Sequence, residues 1–125
     1  MSDAEFLRPL WEGTPYPALL RTLPSIPLPL AGAKGWLLQG AERQLVFFDL
    51  PAGARIPPHS HGEQWGLVIE GEMDLTVSGL TRRVKAGDWY HIPAGAEHTA
   101  TFLTRVFVLD VFADRDRYRA EGAGA

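Results

Sequence analysis

An all-β fold, a single small antiparallel sandwich or barrel, is what this sequence predicts. Three observations carry the prediction. Short apolar runs of about four to eight residues recur along most of the chain, divided by turn residues such as Gly, Pro, Asp and Ser, which is the punctuation of strands and turns. Turn formers are abundant, with 13 Gly and 10 Pro in 125 residues. No stretch shows the 3.6-residue apolar period over the length of an ordinary helix, whereas Met73 to Ser78 alternates apolar and polar without a fault.

The elements follow in order. Residues 1–34 are an arm: Phe6, Leu7, Leu10 and Trp11 form one short helical face, and Pro9, Pro15, Pro17, Pro24, Pro27 and Pro29 punctuate the rest. Its leucines and aromatics need burial, so the arm packs along the domain or across a partner subunit. From Gly35 strands take over: Trp36 to Gln39 and Gln44 to Leu50 around a Gly40-Ala41-Glu42 hairpin loop, then the stretch holding His59 and His61, then Trp65 to Glu70. Gly71-Glu72 reads as another tight turn, Gly79 ends the alternating strand, and Thr81 to Val84, Asp88 to Ile92, Glu97 to Phe102 and Arg105 to Phe112 complete the domain at 113. Gly53, Gly71, Gly87 and Gly95 are turn residues with left-handed backbone. Residues 114–125 are a charged cover that ends in a Gly/Ala tail.

Composition excludes several function classes. A net charge of -3 and a pI near 5.7 provide no basic field for nucleic acid or anionic membrane. With no cysteine there is no disulfide framework, thiolate site or cysteine nucleophile, so any metal must be held by nitrogen and oxygen. The amino terminus lacks a secretion-signal pattern and no apolar run nears the roughly 20 residues of a membrane helix. The expected place is the cytoplasm, and the expected partners are a small anionic molecule and a second copy of the chain in a homodimer.

Two of the four histidines, His59 and His61, stand two apart, so on an extended backbone both imidazoles leave one face at chelate spacing. Pro57 and Pro58 stiffen the approach. Near the other end, Asp110 is the lone carboxylate in the apolar run from Val106 to Phe112. Facing outward it would be solvated; facing inward its pKa would rise and suit it to proton transfer, and alternation alone does not choose.

Gly53, His59-Ser60-His61 and Gly71, followed by Gly87, Pro93, Gly95 and His98, resemble the two signature motifs of the cupin superfamily over residues 35–112. The resemblance implies a small antiparallel double-stranded β-barrel of jelly-roll type, with the motifs on facing hairpins and a divalent transition metal inside (zinc, nickel, manganese or iron). It implies His59, His61 and His98 as ligands. Many cupins carry a glutamate as fourth ligand; counting back from Gly71 places Gln64 there, while strand alternation favours Glu63. The bend after His61 weakens the alternation, and Gln64 is the reading taken. Three neutral imidazoles and an amide leave a divalent ion its full charge, which suits a Lewis acid seeking an anionic oxygen.

Asp110-Val111-Phe112, Arg115 and Tyr118, with the histidine pair and Gln64, look like the small cupins that open unsaturated uronates to linear keto-sugars. That likeness implies Asp110 as acid/base, Phe112 as a wall and Arg115 as a carboxylate clamp once one residue is deleted. Phe102 stands where the family carries a late asparagine, and with Trp65, Trp89 and Tyr90 it is a candidate lining residue. His91 is read as a surface or hydrogen-bonded structural residue. The expected function is a metal-dependent isomerase or lyase; a non-catalytic binding cupin and a metal-dependent dioxygenase are the alternatives.

Overall fold

The computed structural model describes residues 13–122. It contains nine strands: β1 (Lys34–Gln39), β2 (Gln44–Leu50), β3 (Arg55–His59), β4 (Gln64–Glu70), β5 (Glu72–Val77), β6 (Leu80–Lys85), β7 (Trp89–Ile92), β8 (His98–Phe102) and β9 (Val106–Phe112). All pairings are antiparallel, in a five-stranded sheet of order β1-β2-β9-β4-β7 and a four-stranded sheet of order β3-β8-β5-β6. The two sheets form the expected jelly-roll architecture. Among the described residues the only helical element is a 3-10 turn at Leu20–Thr22, and no helix is long and apolar enough to cross a membrane.

Two expected hairpins exist as such, β1-β2 and β5-β6. The Gly71 turn differs, because β4 and β5 belong to different sheets. Gly71, at φ 97°, swings the chain from one sheet to the other. Periodicity assigns a strand's faces but is silent on which sheet it joins, so the sequence presents both kinds of turn alike.

Register explains where the interior lies. On the five-stranded sheet, Val46, Asp110, Gly66 and Tyr90 stand side by side across β2, β9, β4 and β7. One step along, Gln44, Phe112, Gln64 and Ile92 form the adjacent row. Because side chains alternate, both rows face the same way, and most of their members are buried. The opposing sheet supplies Met73, Leu75, Val84, Ala100 and Phe102 to the same core.

The described part of the arm lies on the domain. Tyr16 is buried on the outer face of the five-stranded sheet, edge-on to Trp36, Phe47 and Phe107, and its hydroxyl donates to the carbonyl of Phe48 at 2.6 Å. Farther on, Ser25 bridges to Trp36, and Ile26 enters the core over Gly35, where any Cβ would crowd the isoleucine side chain. The face expected from Phe6, Leu7, Leu10 and Trp11 lies outside the described residues.

Gln44 anchors the carboxyl-terminal cover. Fully buried at the start of β2, its amide donates to the carbonyl of Tyr118 at 2.8 Å and accepts from the Tyr118 N–H at 2.9 Å. The cover is therefore held by a two-way bond that mimics a strand partner. Gln44→Ala leaves both Tyr118 groups unpaired, and a loss of about 2 kcal/mol in urea unfolding is expected, with faster proteolysis after Phe112.

Candidate metal centre and its cavity

Strand β3 delivers His59, the loop after it delivers His61, and the start of β8 delivers His98, directly opposite His59 in register. The side-chain nitrogens of the three that could bind an ion all lie within 4.8 Å of one another. Each imidazole is aimed by a bond from Nδ1 to a backbone carbonyl: His59 to Pro57 at 3.0 Å, His61 to Gly62 at 2.9 Å, His98 to Ala96 at 2.9 Å. A carbonyl only accepts, so Nδ1 carries the proton and Nε2 keeps its lone pair for a ligand. Burial lowers the pKa of His61 and of His98, which keeps both neutral as ligands must be.

The loop between β3 and β4 is held independently. Gly62 donates its N–H to Asp114 Oδ2 at 2.8 Å, Gly95 donates to the His61 carbonyl at 2.8 Å, and Ala113 donates to the Glu63 carbonyl at 2.9 Å. A Cβ on Gly62 would run into the Asp114 carboxylate. Asp114 was not singled out by the sequence, where it is one acid among several in a charged tail.

The residues present fit a metal ion. His61 Nε2 is buried and has no hydrogen-bond partner among the described residues. An orphaned buried lone pair is unfavourable unless something else occupies it, and two further imidazole nitrogens are close by. Three imidazole nitrogens are a protein donor set found in many catalytic divalent sites.

Gln64 and Glu63 are placed on opposite sides of β4. Gln64 is buried and lines the cavity beside the histidines. Glu63 is exposed, accepting from Trp65 Nε1 at 3.3 Å and pairing with His91 Nε2 at 2.7 Å, and these bonds lower its pKa. His91 stacks on Trp65 and stays at the surface as expected. Trp65 and Trp89 also face outward, while Tyr90 and Phe102 line the cavity.

Asp110 faces inward and is buried. Burial pushes its pKa up to about 6, against the opposing effect of hydrogen bonds from Tyr90 and from the Gln64 amide. Burial, and then the nearby Asp110 charge, raises the Tyr90 hydroxyl well above its ordinary value, so it stays protonated and donates. Gly66 makes this arrangement possible. A Cβ there would overlap both the Tyr90 ring and the Asp110 carboxylate. Gly66→Ala is expected to destabilise by about 1–3 kcal/mol in urea titrations, by driving Tyr90 and Asp110 apart.

The cavity holds about 440 Å³, a volume suited to a small molecule. Phe112 and Phe102 are among its walls, and Phe112 packs on His61 with ring centres 5.7 Å apart. Arg115 is not: it is exposed, and its carbonyl accepts from Gln39 Nε2 at 2.8 Å. Arg117 lines the cavity in its stead, its guanidinium 4.6 Å from the centre of the Tyr118 ring and its Nε buried without a hydrogen-bond partner. The Gln44–Tyr118 bonds hold the backbone next to Arg117.

A jelly roll with three histidines converging from facing segments on one internal cavity defines a metal-binding β-sandwich protein. The chain belongs to the cupin family, whose cupin-domain model matches residues 46–112. No curated protein matches the sequence. Among solved structures, a RmlC-like cupin from Shewanella frigidimarina is 27% identical with a TM-score of 0.65, covering 79% of this chain and 86% of that one. KdgF from Halomonas sp. is 25% identical with a TM-score of 0.64, covering 70% and 84%. Salicylate 1,2-dioxygenase from Pseudoaminobacter salicylatoxidans, at 16% identity, TM-score 0.65, and coverage of 76% and 30%, shares the fold alone.

Proposed function

We propose that this cupin is a metal-dependent isomerase or lyase acting on a small carboxylate-bearing carbonyl compound. The observation that carries the reading is Asp110, an ionisable carboxyl buried in the same cavity as the three histidines and pushed up to a pKa of about 6. A passive binding site gains nothing from an ionisable acid held in so unfavourable a place, whereas a proton-transfer group near neutrality is what an acid/base reaction requires.

In this reading His59, His61, His98 and Gln64 hold the divalent ion. When bound, the ion acts as a Lewis acid that polarises a carbonyl oxygen. Asp110 takes the proton from the carbon next to that carbonyl and returns it elsewhere on the substrate. The hydrogen bond from Tyr90 engages one of the Asp110 carboxylate oxygens, Oδ1. Arg117 holds the substrate carboxylate through its guanidinium, whose Nε has no hydrogen-bond partner among the described residues, and Phe112 and Phe102 keep water away. The likeness to uronate-opening cupins bears on the head alone, the carboxylate and carbonyl of a sugar acid. Outward-facing Trp65 and Trp89 support a homodimer.

The test is solvent exchange. Zinc-loaded protein incubated in deuterium oxide with a panel of 2-keto acids is expected to wash deuterium into the carbon next to the carbonyl, read by proton NMR, and Asp110→Asn is expected to stop it. Exchange that survives in Asp110→Asn would remove Asp110 from the proton transfer, and no exchange with the parent protein would leave the metal-binding module as the better reading.

A further inference from the structure

The cavity changes character along its length. Its polar groups gather at one end: His59 and His98 opposite each other on β3 and β8, Gln64 on β4, then Asp110 and Tyr90 one row further in. From there every strand turns apolar. Strand β8 runs inward from His98 through Ala100 to Phe102, β9 runs from Asp110 to Val108, and β2 contributes Phe48 and then Leu50. The arm adds Leu28 and Leu30 to the lining of the same cavity. The charged lining residue of this part, Arg55, is exposed on β3.

Ala100, a small side chain on β8, takes up little of this inner half. The inner half therefore has shape and volume but few hydrogen-bonding partners. A polyhydroxylated chain entering it would leave its hydroxyls stripped of water and unpaired, whereas an alkyl or aryl group would bury apolar surface against Phe48, Met73 and Phe102.

We propose that the ligand of this site is an acid with an apolar body: a carbonyl-carboxylate head at the histidines and Arg117, and an alkyl or aryl group in the chamber lined by Phe48, Met73, Ala100 and Phe102. This rests on the functional reading above for the head and on the chamber alone for the body. Each methylene-sized piece of surface buried there strengthens binding about fourfold, so the body dominates discrimination among ligands that share a head.

Calorimetric titration of the zinc-loaded protein with pyruvate, phenylpyruvate and 2-ketogluconate separates the two parts. The three share the keto-acid head and differ in the body. Phenylpyruvate is expected to bind at least about tenfold tighter than pyruvate, and 2-ketogluconate no tighter than pyruvate. Equal affinity for pyruvate and phenylpyruvate, or tightest binding by 2-ketogluconate, overturns the apolar-body assignment and leaves the head intact. If none of the three binds, the keto-acid head itself is wrong, and the proposed function falls with this inference.

Discussion

His61→Ala is expected to abolish metal-dependent stabilisation while leaving the metal-free fold close to its original stability. The two halves of this expectation come from one atom. In the metal-free protein His61 Nε2 is buried without a hydrogen-bond partner, so its removal relieves an unsatisfied group. The side chain's packing on Phe112 is lost at the same time. These effects oppose each other, and the metal-free variant should unfold within about 1 kcal/mol of the parent. With metal the balance changes. Loss of residues that merely orient a ligand weakens metal binding by about 10–100-fold, and loss of a ligand should exceed that range. At a metal concentration about 100 times the dissociation constant, the parent gains about 2.7 kcal/mol, roughly 10 °C in melting temperature, and the variant gains almost none. Differential scanning calorimetry with and without zinc measures both arms. Equal metal-induced shifts in the two proteins would remove His61 from the site.

How much of this was legible in the chain depends on whether the deciding contact is local. The spacing of His59 and His61 is local, and the structure places both together with His98. Strand positions were legible for the same reason, to within a residue or two at each end. The inward direction of Asp110 was not, since alternation permits both faces; the deciding fact is that β9 lies between β2 and β4, with Gly66 beside Asp110 making space for Tyr90. A glycine in the middle of an apolar strand was the available signal, because such a glycine often marks a close approach. Arg117 was harder still. After Phe112 the chain has no periodic pattern, and the backbone beside Arg117 is held at Tyr118 by Gln44, more than 70 residues earlier in the sequence. Tertiary hydrogen bonds of that kind leave no mark on spacing.

Asp110→Asn is expected to reduce turnover by about 10²–10⁴-fold and to make the metal-free protein more stable at alkaline pH. The stability effect follows from the sign of the pKa shift. Burial raises the folded-state value to about 6, above the ordinary aspartate value, so folding favours the protonated acid. The contribution of that acid is fully present below the unfolded pKa and is lost as pH rises through about 6. Well above that point the native state holds a buried carboxylate at a cost of about 3 kcal/mol. Asparagine keeps the size and an oxygen that can accept from Tyr90, but it never ionises. Metal-free parent and variant should therefore be similarly stable near pH 4, and the variant should be more stable by up to about 3 kcal/mol near pH 8. Urea unfolding at the two pH values measures this without substrate, and identical pH profiles would show that Asp110 is not held as a strained acid. A residue that weakens the fold where it ionises, and whose neutral replacement removes both the weakness and the turnover, is one kept for its chemistry and not for packing.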